Sequence, residues 1–111
     1  MPNGPTNATR ITIKVASSGD FTYDPSVKRL VAGQTVTWAC SQGPFSIAFQ
    51  EGSPFDKLDY HSAKSDKEWS VTTSAVANTR GPGHFHYSVA IYIPGEDRVY
   101  LDAGCPEIII N

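Results

Sequence analysis

The chain has 111 residues, room for one domain and no second, and its 40% hydrophobic and 18% charged residues supply a core and exclude disorder. Nine Lys and Arg against eleven Asp and Glu leave a net charge of −2, which offers nucleic acid and anionic lipid no basic field. No stretch approaches the roughly 20 apolar residues of a membrane-spanning helix, and the polar residues 1–10 lack a signal-peptide core. The expectation is a cytoplasmic protein that meets neither nucleic acid nor membrane, with a processed periplasmic or secreted form as the alternative.

Ile11, Ile13 and Val15 alternate with Thr12, Lys14 and Ala16, the two-residue period of a half-buried strand. Ser17-Ser18-Gly19-Asp20 turns the chain into a second extended stretch, Phe21-Thr22-Tyr23, which Asp24-Pro25 interrupts and which resumes over 27–31. Beyond the turn at Ala32-Gly33-Gln34, a third strand over 35–40 sets Val36, Trp38 and Cys40 on one face, and a fourth sets Phe45, Ile47 and Phe49 on one face. The pattern lapses between 50 and 67. There Ser53-Pro54-Phe55-Asp56 offers a capping serine, a proline at the first helical position and an acid three residues after the cap, so that a short helix or an irregular excursion is expected.

Trp69, Val71 and Thr73 mark a fifth strand, followed by a polar loop over 74–83. Phe85, Tyr87, Val89, Ile91 and Ile93 then alternate with His84, His86, Ser88, Ala90 and Tyr92, predicting one strand of about nine residues, long against a mode of about five to six. Pro94-Gly95-Glu96-Asp97 folds it into a hairpin with 98–102, and 107–110 form the last strand. Seven to eight short strands between Gly/Pro turns, with hardly any helical period, predict a single all-β domain over 1–111, a Greek-key β-sandwich.

Three segments occur in the order a cupredoxin has them. Ala32-Gly33-Gln34-Thr35-Val36-Thr37-Trp38 resembles that family's turn into its third strand, Gly43-Pro44-Phe45-Ser46-Ile47-Ala48-Phe49 resembles the Pro-His-Asn-Val-x-Phe segment carrying its first copper ligand, and Gly83-His84-Phe85-His86-Tyr87-Ser88-Val89 is similar to its Gly-Thr-Tyr-x-Phe-x-Cys strand. The resemblance spans Ile11 to Ile110 and implies a cupredoxin-like sandwich. Carried over residue by residue, it puts Phe45 at the first His, Val89 at the Cys and Tyr92 near the second His. A type 1 site needs two imidazoles and a thiolate, usually with a weak axial Met. None of the three positions supplies one, the only Met is Met1, and a regular hairpin replaces the ligand loop. The resemblance therefore implies the fold without the copper, and no cofactor is expected.

Other chemistry is sparse. His84 and His86, two apart on one strand, offer two imidazoles to a metal if His61 or a carboxylate joins them; otherwise they are polar residues on a solvent face. Cys40 reads as a small core hydrophobe, although the resemblance brings it to the same pole of the sandwich as Cys105, where a disulfide could form in an oxidising compartment. Hydrolase and phosphate-binding motifs are missing, the acids Asp56, Asp59, Asp66 and Glu68 suit a solvated loop, and Trp38 and Trp69 read as core rather than as a sugar-stacking platform. Ile108, Ile109 and Ile110 are consecutive, so a strand with Ile108 and Ile110 inward presents Ile109 outward, to be covered by the same chain or by self-association. Taken together, these residues predict a non-catalytic module that binds an unidentified protein or a second copy of itself, with an atypical His/Cys metal or redox site as the alternative.

Overall fold

The computed structural model describes residues 8–50, 52–77, 81–102 and 106–111. Among them are twelve strands: β1 (Ala8–Val15), β2 (Phe21–Asp24), β3 (Val27–Leu30), β4 (Thr35–Cys40), β5 (Phe45–Ala48), β6 (Asp59–His61), β7 (Ala63–Ser65), β8 (Glu68–Thr72), β9 (Gly83–His86), β10 (Ser88–Ile93), β11 (Arg98–Asp102) and β12 (Glu107–Ile110). They form three sheets, ordered β2-β1-β4-β8-β7, β11-β10-β5-β6 and β3-β12-β9. The result is an all-β, sandwich-like fold of mixed sheets, because β1 runs parallel to β4 and β3 parallel to β12 while the other pairs are antiparallel. No helix occurs among the described residues, hence none long and apolar enough to cross a membrane.

The alternating residues supply the core. Ile11, Ile13 and Val15 of β1, Val36, Trp38 and Cys40 of β4, and Phe45, Ile47 and Phe49 in and after β5 are all buried. Trp38 sits at the centre, its ring 5.3 to 6.4 Å from those of Tyr87, Tyr60, Phe49 and Phe55, separations at which edge-to-face aromatic pairs are favourable. At the expected turn before β4, Gly33 has φ +90°, and the Gln34 N–H donates to the Val31 carbonyl, 3.2 Å. A side chain there would be strained.

Several expectations need correction. Twelve strands replace seven to eight, partly because Asp24-Pro25 separates two strands of different sheets: β2 pairs with β1, whereas β3 pairs with β12. The helix at Ser53 is not formed. Ser53 Oγ accepts from the Phe55 N–H, 3.0 Å, as a cap would, but Phe55 then turns into the core against Trp38, Phe49 and Tyr60, while Asp56 bonds to Ser74. Leu58 is left exposed, so no apolar stripe exists to hold a helix down. The other expectation, an irregular excursion, holds over 52–58, after which β6 and β7 follow.

The nine-residue strand is two strands. β9 pairs with β12, β10 pairs with β5 and β11, and Tyr87 lies between them with its N–H donating to the Pro106 carbonyl, 3.2 Å. The chain changes sheet at this corner yet keeps its phase, since Tyr87, Val89 and Ile91 are all buried. Ile109 is likewise buried, 7% exposed, so its covering comes from the same chain. β12 is the central strand of its sheet, and Ile109 pairs with Arg29 on one side and His84 on the other. The edge-strand argument for self-association through Ile109 does not hold.

Candidate functional site

The three positions matching copper ligands do not converge. Phe45 and Val89 lie on the inner face of the β11-β10-β5-β6 sheet, 3% and 1% exposed, each beside a core isoleucine: Phe45 pairs with Ile91 and Ile47 with Val89. Tyr92 points from the opposite face, where its hydroxyl donates to Asp97 Oδ1, 2.7 Å. Two hydrocarbon side chains and a phenol on the far side of the sheet offer a copper ion no ligand set.

His84 and His86 project from the exposed side of β9, and the carboxylate they need is Glu107, directly opposite His86 on β12. Its Oε2 lies 3.2 Å from His84 Nδ1 and 3.5 Å from His86 Nε2. No spacing in the sequence marks Glu107; only the β9–β12 register does. Among the described residues no group of three or more His, Cys, Asp and Glu side chains is arranged to hold a metal ion. His61 stands apart on β6 in another sheet, its Nδ1 in hydrogen-bond contact with Ser46 Oγ, 3.0 Å. That Ser–His pair borders an open depression, but no carboxylate contacts the imidazole among the described residues, so the third member of a triad is missing.

The remaining candidates are accounted for locally. Cys40 is buried and its Sγ accepts from the Gln42 N–H, 3.4 Å; Cys105, and with it the Cys40–Cys105 pairing, lies outside the described residues. Trp38 is fully buried and Trp69 only partly, with the Lys64 ammonium 5.1 Å from its ring centre, so no exposed platform forms. Asp56 bonds to Tyr60 and Ser74, and Glu68 pairs with Arg10 at 2.6 Å.

The surface that stands out is the outer face of the β11-β10-β5-β6 sheet. The inward phase of Phe45, Ile47, Val89 and Ile91 forces Ser46, Ala48, Ser88 and Ala90 outward. These small residues floor two adjoining depressions of about 290 and 310 Å³, which share Ser46 and Ala90. Tyr92, Val99 and Leu101 rise beside them, 39%, 57% and 75% exposed. The β10–β11 register sets Tyr92 against Val99 and Ala90 against Leu101, so the apolar groups are contiguous across the strands. No protein-family model matches the chain, and no curated protein does. The sequence reading did not reach this face, although Val99 and Leu101 flanking an inward Tyr100 were its signal.

One buried polar pair affects stability. The Trp38 indole N–H and the Tyr87 hydroxyl are sealed in the core without a hydrogen bond of normal geometry. Burial is the main cause that raises the Tyr87 hydroxyl well above the ordinary tyrosine range, and burial followed by the Asp56 charge pushes Tyr60 up to about 12. The native state therefore keeps protons that the unfolded chain releases above its ordinary pKa of 10.0. Stability is expected to be unaffected by these groups below pH 10 and to fall above it, with Tyr87 contributing up to about 1.4 kcal/mol per pH unit. Urea midpoints from pH 8 to 11.5 on the native chain and on Tyr87→Phe check this. The variant should lose stability less steeply; equal slopes would mean that Tyr87 is wet.

Proposed function

We propose that the chain is a non-catalytic binding or assembly module, a cupredoxin-like Greek-key sandwich without the copper site. The observation that carries this reading is the contiguous apolar outer face of the four-stranded sheet, with Tyr92, Val99 and Leu101 exposed beside a floor of alanine and serine. Apolar surface left together on one face of a sheet is a common feature of protein-binding sites. The cupredoxin likeness rests on the order of the three segments. It is supported by the burial of Val36 and Trp38 after the first, of Phe45, Ile47 and Phe49 within the second, and of Tyr87 and Val89 within the third.

A metal or redox protein with an atypical site is the second reading, favoured by the approach of His84 and His86 to one Glu107 oxygen. It ranks second because these groups already pair with one another and, among the described residues, no three His, Cys, Asp or Glu side chains are arranged to hold a metal ion. Elemental analysis of natively purified protein separates the two. Less than a tenth of an equivalent of any transition metal, and no intense thiolate-to-copper band on adding Cu²⁺, is expected. A full equivalent retained through dialysis and lost in His84→Ala would reverse the ranking.

A further inference from the structure

We propose that the module's partner is a second copy of the same chain, docked by antiparallel pairing of the two β11 strands about Tyr100. This inference rests on the reading of the chain as a binding module and names its partner, which docks at the β11 edge bordering the outer sheet face. β11 ends its sheet, so one side of its backbone is unpaired by any strand among the described residues, and such an edge is a template for another strand. At five residues it is also the longest of the strands that end a sheet.

The sequence of β11 is complementary to itself. In the order Arg98, Val99, Tyr100, Leu101, Asp102, a two-fold axis at Tyr100 sets Arg98 opposite Asp102 of the other copy, at both ends of the pair, and Val99 opposite Leu101. Cross-strand pairs of opposite charge and of apolar side chains are the ones that stabilise a sheet, and a two-fold contact needs this self-complementarity. Arg98 and Asp102 share the inner side with Tyr100, where the guanidinium lies 4.5 Å from the Tyr100 ring centre and the Asp102 carboxylate accepts from the Tyr23 hydroxyl, 2.6 Å. Val99 and Leu101 share the outer side, so pairing joins the two apolar faces into one continuous surface. Two other edges oppose self-pairing: an antiparallel pair of β7 strands centred on Lys64 sets that lysine against itself, and one of β3 centred between Lys28 and Arg29 sets those cations together.

Sedimentation velocity over a hundredfold concentration range is the test, with circular dichroism confirming that each variant is folded. The native chain should shift from monomer to dimer. R98E alone and D102K alone place like charges at both ends and should each raise the midpoint concentration at least about tenfold, whereas an equimolar mixture of the two restores both opposite-charge pairs and should dimerise near the native midpoint. Leu101→Lys, at a side chain 75% exposed, should dissociate the pair and serves as the second variant if loss of the Tyr23 contact unfolds D102K. A native chain that stays monomeric throughout overturns the pairing, as does a dimer that R98E and Leu101→Lys leave intact. A metal-free monomer would remove this inference and leave the binding-module reading standing; a tightly held metal would remove the latter.

Discussion

Replacing Val89 by aspartate is expected to lower the melting temperature by more than about 15 °C, or to prevent folding altogether. Val89 is 1% exposed, on the inner face beside Ile47 of β5 and opposite Asp102 of β11. A carboxylate there loses its hydration without gaining a partner, and its nearest charged neighbour across the strand is another carboxylate. Burying such a group unpaired costs on the order of 3–5 kcal/mol, a large share of the roughly 5–15 kcal/mol that holds a domain folded. For a chain of this size each kcal/mol is worth about 4–8 °C. The control is Leu58→Asp, ahead of β6 and 52% exposed, which should move the melting temperature by no more than a few degrees. Calorimetry of both variants decides the register: a native melting temperature for Val89→Asp would put Val89 on the solvent side, since a slip of one residue exchanges the two faces.

The residues that alternate were legible because burial on one face of a strand leaves a two-residue period whatever the partner strand is. That is why the inward sets of β1, β4, β5 and β10 could be read without knowledge of the sheets. Partner identity leaves no such trace. The phase of 85–93 is unbroken, yet β9 and β10 join different sheets, because the corner at Tyr87 preserves which side faces the core. Ile109 is the same case: alternation placed it outward, but the central position of β12 between β3 and β9 gives it cross-strand neighbours on both sides. Pairing also explains what was hidden at the candidate sites. Glu107 meets His84 and His86 only through register, and the outer apolar face is assembled from β5, β10 and β11, none of which shows it alone. The false helix start at Ser53 shows the complementary failure. Ser53 makes the capping hydrogen bond, but the residues that follow find better burial in the aromatic cluster around Trp38 than along a helix with no apolar stripe.

Close approach of backbone to backbone leaves its mark at Gly43, and Gly43→Ala is expected to cost about 3 kcal/mol. A methyl group at this position would lie 1.9 Å from the Tyr92 carbonyl oxygen and 3.1 Å from Pro94 Cδ. Neither neighbour can yield as a flexible side-chain tip would. Tyr92 is fixed by its own N–H, which donates to the Pro44 carbonyl at 2.9 Å, and by pairing with Val99 in the β10–β11 hairpin. Relief therefore requires the loop before β5 to separate from the end of β10, stretching the Pro44–Tyr92 bond and loosening the contact between Phe45 and Ile91 just beneath it. Overpacking of this kind costs about 1–3 kcal/mol and occasionally more, and weakening the backbone hydrogen bond adds up to about 1 kcal/mol. Gly95→Ala in the adjacent hairpin turn supplies the comparison, because a methyl group there meets nothing within 4 Å. Urea unfolding should show a midpoint lowered by more than 1 M for Gly43→Ala at an unchanged slope, given about 1–3 kcal/mol per M for small domains, and a midpoint close to native for Gly95→Ala. Equal midpoints for the two variants would mean that the loop before β5 does not lie against Tyr92.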